Sequence, residues 1–160
     1  MVKDMDLDKI RERTQSAYDY VSSLEQFKFV YDNYELNQEV ATELKNFVND
    51  YTVVLFAASW CRDSRAGVPP LALLETEIGL EVRVFGGMET APFDREHTWA
   101  IPPSPPEAEE WGVTAIPWIV VFLRKNSKNG QEVGKIIERP RWGMTMEEEL
   151  LEIIKNAQAG

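Results

Sequence analysis

Apolar residues recur with two distinct rhythms along this chain. From Leu7 to Leu24 they fall at Leu7, Ile10, Ala17, Tyr18, Val21 and Leu24, with charges between them, close to the 3.6-residue period of an amphipathic helix lying on a core. A second helical stretch opens at Asn37, a side chain suited to an N-cap, and carries Val40, Leu44, Phe47 and Val48. The aromatic-rich residues 27–34 between them read as a short strand or a packed connection. Residues 52–58 are β-branched and apolar with almost no alternation, the mark of a central strand covered on both faces. Helical spacing returns over residues 64–78, where Pro69-Pro70 predicts a kink or restart and Gly79 an end. Residues 81–85 make a short strand closed by Gly86-Gly87.

Residues 88–104, with Pro92, Pro102 and Pro103, are long for a structureless connection and read as a binding loop or lid. A short helix is expected over 105–110, with Ser104 as N-cap and Pro105 at its first position. Strands at 118–124 and 132–138 flank a polar loop whose Asn129-Gly130 suits a hairpin. A last helix over 145–157 buries Leu150, Leu151, Ile153 and Ile154 and sets Glu147, Glu148 and Glu149 near its positive end. A parallel strand pair joined by a crossover helix, followed by an antiparallel hairpin and a packing helix, describes a three-layer α/β/α sandwich around a mixed sheet.

Charge narrows the partners. Seventeen basic residues against twenty-seven acidic ones give a net charge of -10, which opposes binding to nucleic acid or to anionic membranes. The 160 residues suit one domain, and 44% hydrophobic with 28% charged residues is ordinary for a globular chain. The apolar runs fall short of the roughly 20 residues a membrane span needs. The first residues, Met1 to Asp6, lead into a charged segment rather than an apolar one, so no secretion signal is read there and a cytoplasmic location is expected. The sequence is silent on oligomeric state.

The candidate chemistry centres on Cys61, the only cysteine. It lies in Ser59-Trp60-Cys61-Arg62-Asp63-Ser64, directly after the apolar strand. A thiol at a strand-to-helix junction meets the positive end of the helix dipole and unpaired backbone N–H groups, which favour the reactive thiolate. Arg62, Arg65 and a Ser64 hydroxyl bond to sulfur act in the same direction. Asp63 opposes them and serves equally well as an ordinary first-turn acid. His97 is the only histidine, and no motif supports a Cys61–His97 nucleophile–base pair. One Cys and one His are too few soft ligands for a metal site, and no glycine-rich phosphate loop is present.

Four features then occur in order: Trp60-Cys61 after the apolar strand, Pro69 eight residues beyond the cysteine, the segment Trp111-Gly112-Val113-Thr114-Ala115-Ile116-Pro117, and Asn129-Gly130. With these the chain resembles the thioredoxin superfamily from about residue 36 to residue 157. The resemblance implies a thioredoxin-like α/β/α sandwich over 36–160, with residues 1–35 as a helical extension packed on the core and a long loop before a cis-proline segment. It also implies a cis Ile116–Pro117 bond, with the Ile116 backbone facing Cys61 and open to an extended substrate strand. Trp60 and Trp118 would wall the sulfur, although plain core is an equal reading for Trp118. Arg139, with Arg141 nearby, would border the active-site face and suit a carboxylate such as that of glutathione.

Three departures from the family pattern shape the expected chemistry. Ser64 stands where thioredoxins carry a second active-site cysteine, Leu55 where they bury an acid, and Trp118 follows the cis-proline position. The implied reaction is monothiol exchange, with Cys61, Ser64 and Pro117 as its catalytic set and Trp60, Arg62, Asp63, Ile116, Trp118 and Arg139 around the substrate. No metal and no resident cofactor are expected. Glutathione or another low-molecular-weight thiol would be the co-substrate, and protein or small-molecule disulfides the partners. The alternative is a non-catalytic thioredoxin-fold binding or adaptor module that uses the Cys61/Pro117 face and the 88–103 loop.

Overall fold

The computed structural model describes residues 4–160; residues 1–3, on which part of the secretion-signal reading falls, lie outside the described residues. The strands are β1 (Asp4–Asp6), β2 (Gln15–Ser16), β3 (Tyr51–Phe56), β4 (Glu81–Phe85), β5 (Trp118–Arg124) and β6 (Asn129–Ile137). The helices are α1 (Leu7–Arg13), α2 (Ala17–Ser22), α3 (Glu25–Asn33), α4 (Gln38–Leu44), α5 (Arg62–Ile78), α6 (Glu107–Glu110) and α7 (Met146–Ala159). All the strands join one sheet in the order β1-β6-β5-β3-β4-β2. Strand β3 runs parallel to β4 and antiparallel to β5, so the sheet is mixed and helices cover both its faces. This is the thioredoxin-like α/β arrangement expected from the sequence. Among the described residues, no helix is long and apolar enough to cross a membrane.

Strand β3 is buried at every position, and its alternating side chains feed two cores. Val53 and Leu55 pack with residues of α2, α3, α4, α5 and α7. Val54 and Phe56 pack with Leu7 and Ile10 of α1, Ala108 of α6, and Phe85, Trp118 and Phe122 from the neighbouring strands.

The N-terminal stretch is not one helix. Thr14 leaves helical geometry at φ -127° and ψ 168°, Gln15–Ser16 pairs with β4, and the Ser16 hydroxyl accepts from Asp19 N–H at 3.1 Å to start α2. The break resets the helical phase, so Tyr18 is 37% exposed while Tyr20 is only 5% exposed. With β1 paired to β6, the N-terminal segment supplies both edges of the sheet as well as packing on the core. Residues 27–34 fall largely in α3, where Phe27 is buried and Phe29 exposed; helical packing overrides the β preference of the aromatics.

Other expectations shift in detail. Helix α5 runs unbroken through Pro69 and Pro70 and stops at Gly79, whose φ of 79° is the left-handed conformation of a glycine C-cap. Ser104 caps no helix: its hydroxyl accepts from Glu89 N–H at 2.8 Å and donates to Glu89 O at 3.0 Å, clamping the long loop. The hairpin turn is made by Asn126, whose Oδ1 accepts from Lys128 N–H and Asn129 N–H at 2.9 Å each, while Asn129 and Gly130 already pair with β1. Helix α7 opens on a capping box between Thr145 and Glu148. Glu147 is not a solvated first-turn acid; it is fully buried and accepts from Tyr34 Oη at 2.7 Å and Asn37 N–H at 3.0 Å, fastening α7 to the start of α4.

Candidate functional site

Strand β3 delivers the chain into Ala57-Ala58, both buried, and Ala57 N–H donates to Phe85 O at 3.0 Å. The next residues emerge at the surface, and Cys61 takes the N-cap position of α5 with φ -89° and ψ 121°. Its backbone carbonyl accepts from Arg65 N–H at 3.1 Å. The thiol is half-buried, rests on the aromatic side of the sheet, and donates to Ile116 O at 3.7 Å. The Ile116–Pro117 peptide is cis.

Pro117 is held from two sides. Its carbonyl accepts from Glu138 N–H at 2.8 Å, just past β6. A Cβ on Gly67 would lie 3.0 Å from Met146 Cε and 3.7 Å from Pro117 Cγ. A glycine at this buried turn of α5 therefore lets the helix lie close to both Pro117 and the start of α7.

The remaining residues around the sulfur divide into two groups. Trp60 is 47% exposed, and its indole N–H donates to Met88 O at 2.9 Å, which fixes the ring over the start of the long loop. Asp63 and Arg139 line a groove of about 220 Å³ with Tyr34, Gly67, Pro70 and Met146. Arg139 takes part in no ion pair among the described residues, and Arg62 is exposed. Cys61, Ile116, Pro117 and Trp60 meet at the N-terminal end of α5, and the Asp63–Arg139 groove runs from there along the helix to Pro70.

Others are engaged elsewhere. Ser64 is fully buried and its hydroxyl accepts from Ala58 N–H at 3.4 Å, so the expected bond to sulfur is replaced by the Ile116 carbonyl contact. Arg65 donates to Gln26, and Arg141 pairs with Glu149 and Glu152 of α7. Trp118 is 7% exposed and walls a different groove, of about 270 Å³, with Met5, Trp111 and Lys135. His97 is exposed and both its ring nitrogens meet carboxylates, Asp94 at 2.9 Å and Glu109 at 3.4 Å, so it ties the long loop to α6 and stands apart from Cys61. Hydrogen bonding and charge from Asp94, with the charge of Glu109, raise its pKa.

One residue at this corner escaped the sequence reading. Tyr20 has a buried hydroxyl with no partner among the described residues. Burial, then the neighbouring Cys61, pushes its pKa up to about 12. The signal that would have found it is the phase reset at Thr14 to Ser16, which an uninterrupted helical pattern hides.

Residues 11–98 match the family described as thioredoxin. The chain belongs to this thioredoxin family. The match begins inside the N-terminal segment, takes in β2, α2, Cys61, α5 and β4, and ends in the long loop ahead of the Ile116–Pro117 segment. Among solved structures, a protein of unknown function from Pseudomonas aeruginosa, PA1234, is similar at 13% identity and a TM-score of 0.64, covering 96% of this chain and 99% of that one. An HIV epitope-scaffold is similar at 14% identity and a TM-score of 0.60, covering 95% of this chain and 99% of that one. At these identities the likeness concerns the thioredoxin-like fold alone. No curated protein matches the chain.

Proposed function

We propose that this thioredoxin-family protein carries out monothiol thiol–disulfide exchange through Cys61, resolved by an external thiol. The observation that supports it is the half-exposed sulfur at the N-cap of α5, facing the carbonyl that precedes Pro117, in a chain with no second cysteine. In the first step the Cys61 thiolate attacks one sulfur of a disulfide R–S–S–R′, forming Cys61–S–S–R and releasing R′–S⁻, which takes up a proton from water. In the second step a low-molecular-weight thiolate such as that of glutathione attacks the R sulfur, forming its own mixed disulfide with R and freeing Cys61 as thiolate. The backbone of Ile116 offers an edge for an extended substrate, Trp60 a hydrophobic wall, and Arg139 a cation for a carboxylate. Ser64 supports the turn beneath the sulfur. The reaction calls for a compartment rich in small thiols, as the cytoplasm is.

The groove beside Asp63 and Arg139 favours a second reading, a binding or adaptor module that grips a partner without chemistry. Intact mass after exposure to oxidised glutathione separates the two. Exchange predicts one glutathione adduct, removed by a second thiol and missing in Cys61→Ser. A wild-type protein that takes up no adduct, while Cys61→Ser still retains its partner, would favour the adaptor.

A further inference from the structure

We infer that the groove between β5, β6 and the end of α6 binds a small organic cation, a quaternary ammonium carrying an apolar body about one ring in size. The inference is independent of the chemistry of Cys61. Alternation along β5 sends Trp118, Val120 and Phe122 to the aromatic side of the sheet. All three line a groove of about 270 Å³, with Trp111 and Met5 beside them, a size that suits a small molecule. The charged side chains of its lining are Glu110, Glu132 and Lys135.

Two observations set the charge of the ligand. Trp118 already takes a cation, because Lys135 Nζ lies over its ring at 5.6 Å from the centroid, where the negative face of an indole draws positive charge. The indole N–H is buried with no acceptor among the described residues, although buried tryptophans ordinarily find one, so the ring face is what this position offers. The second observation is the balance of the lining. Lys135 is matched by Glu132 at 3.3 Å, while Glu110 is exposed and takes part in no ion pair among the described residues. The groove therefore keeps one unbalanced carboxylate, in a chain of net charge -10, and disfavours an anion. Lys135 is a weak occupant of the ring. Its ammonium is strongly hydrated, and its pair with Glu132 lies at the surface, where parting the two costs little. A quaternary ammonium holds water less tightly and needs no acceptor, so it displaces Lys135 from Trp118, answers Glu110, and rests its apolar body on Val120 and Phe122.

The test is a titration of the full chain with benzyltrimethylammonium, read from the tryptophan indole N–H signals in nitrogen–proton NMR spectra. The Trp118 signal should shift and saturate while that of Trp60 stays in place, with an affinity about tenfold above that of neutral benzyl alcohol. Glu110→Gln should weaken binding of the cation about threefold and Lys135→Gln tighten it about threefold, with neither moving the affinity for benzyl alcohol. Glu39→Gln removes one charge from α4, on the opposite side of the sheet, and should leave the affinity unchanged. Equal affinities for the two probes, shifts centred on Trp60, or the same loss in Glu39→Gln as in Glu110→Gln would overturn the inference. A trimethyllysine peptide that binds more tightly than benzyltrimethylammonium would overturn the small-molecule assignment in favour of a modified protein partner.

Discussion

The two faces of the sheet are filled by different means. One face is aliphatic: Val68, Leu71 and Leu74 of α5 and Leu150 and Ile154 of α7 meet Val53, Leu55, Ile119 and Val121 under a layer of helices. The other is aromatic: Phe56 stacks on Phe85 at 4.7 Å, and Trp111 sets its edge against Phe56, Phe85 and Phe122 at 5.2, 5.8 and 5.9 Å. Its cover is the short α1, the four-residue α6 and the folded long loop, and grooves open beside Trp118 and His97. Cys61 belongs to the seam between them, since its helix packs on the aliphatic face while its sulfur rests on the aromatic one. The face covered by long helices carries the helix that positions the thiol, and the sparsely covered face borders the half-buried sulfur.

The largest expected effect comes from the same substitution on each face. Leu71→Ala, on α5 inside the full helical layer, should lose stability near the upper end of about 2–5 kcal/mol, and Leu7→Ala, at the start of α1 by the sheet edge, near the lower end. Urea unfolding of the two variants reads the difference, and equal losses would break the comparison. Next comes Glu147, a carboxylate fully sealed in the helical layer. Glu147→Ala leaves Tyr34 Oη and Asn37 N–H without their acceptor and should cost about 1–3 kcal/mol, again by urea unfolding, whereas Glu148→Ala loses only a cap.

Acid sharpens the contrast. On the α1 side, burial pushes Glu81 up, but hydrogen bonds from Arg11 and Thr52 and the charges of Arg11 and Arg124 outweigh it and hold the carboxyl below its ordinary value. Its contribution is therefore full above the ordinary glutamate range and is lost as pH falls through the folded value. On the helical side, burial raises Glu75 despite the N–H bonds from Tyr18 and Ala17. The folded state then binds that proton more readily, and stability gains as pH falls through the raised value. Melting temperature against pH should show a shallower acid loss in Glu81→Gln and a steeper one in Glu75→Gln. The smallest effect belongs to the exposed loop. Asp94→Asn should lower the His97 titration midpoint seen by NMR, because Asp94 is the main cause of its elevation, while the melting temperature stays put.

The aliphatic face was largely legible from sequence because periodicity reports it directly. Residues 52–58, the helix ended by Gly79, and the apolar side of α7 all follow from one-dimensional spacing. The fold could be read from Trp60-Cys61, Pro69 and Ile116-Pro117, since these residues fall at fixed distances along the chain. What escaped depended on which of several possible partners, near or far along the chain, a polar group meets. Glu147 looked like any first-turn acid until Tyr34 and Asn37 came to meet it. Ser104 and Asn126 took over bonds assigned to a cap and to Asn129-Gly130, because partners 15 residues away in one case and two to three in the other compete for the same groups. Tyr20 was hidden by a two-residue strand that breaks the helix and rotates everything after it.

The central claim is that Cys61 turns over disulfides with help from outside the chain. The most direct measurement is glutathione-dependent reduction of a glutathionylated peptide by wild type and by Cys61→Ser. The account predicts a rate above the uncatalysed background for wild type and the background alone for the variant. Equal rates for the two proteins would contradict it.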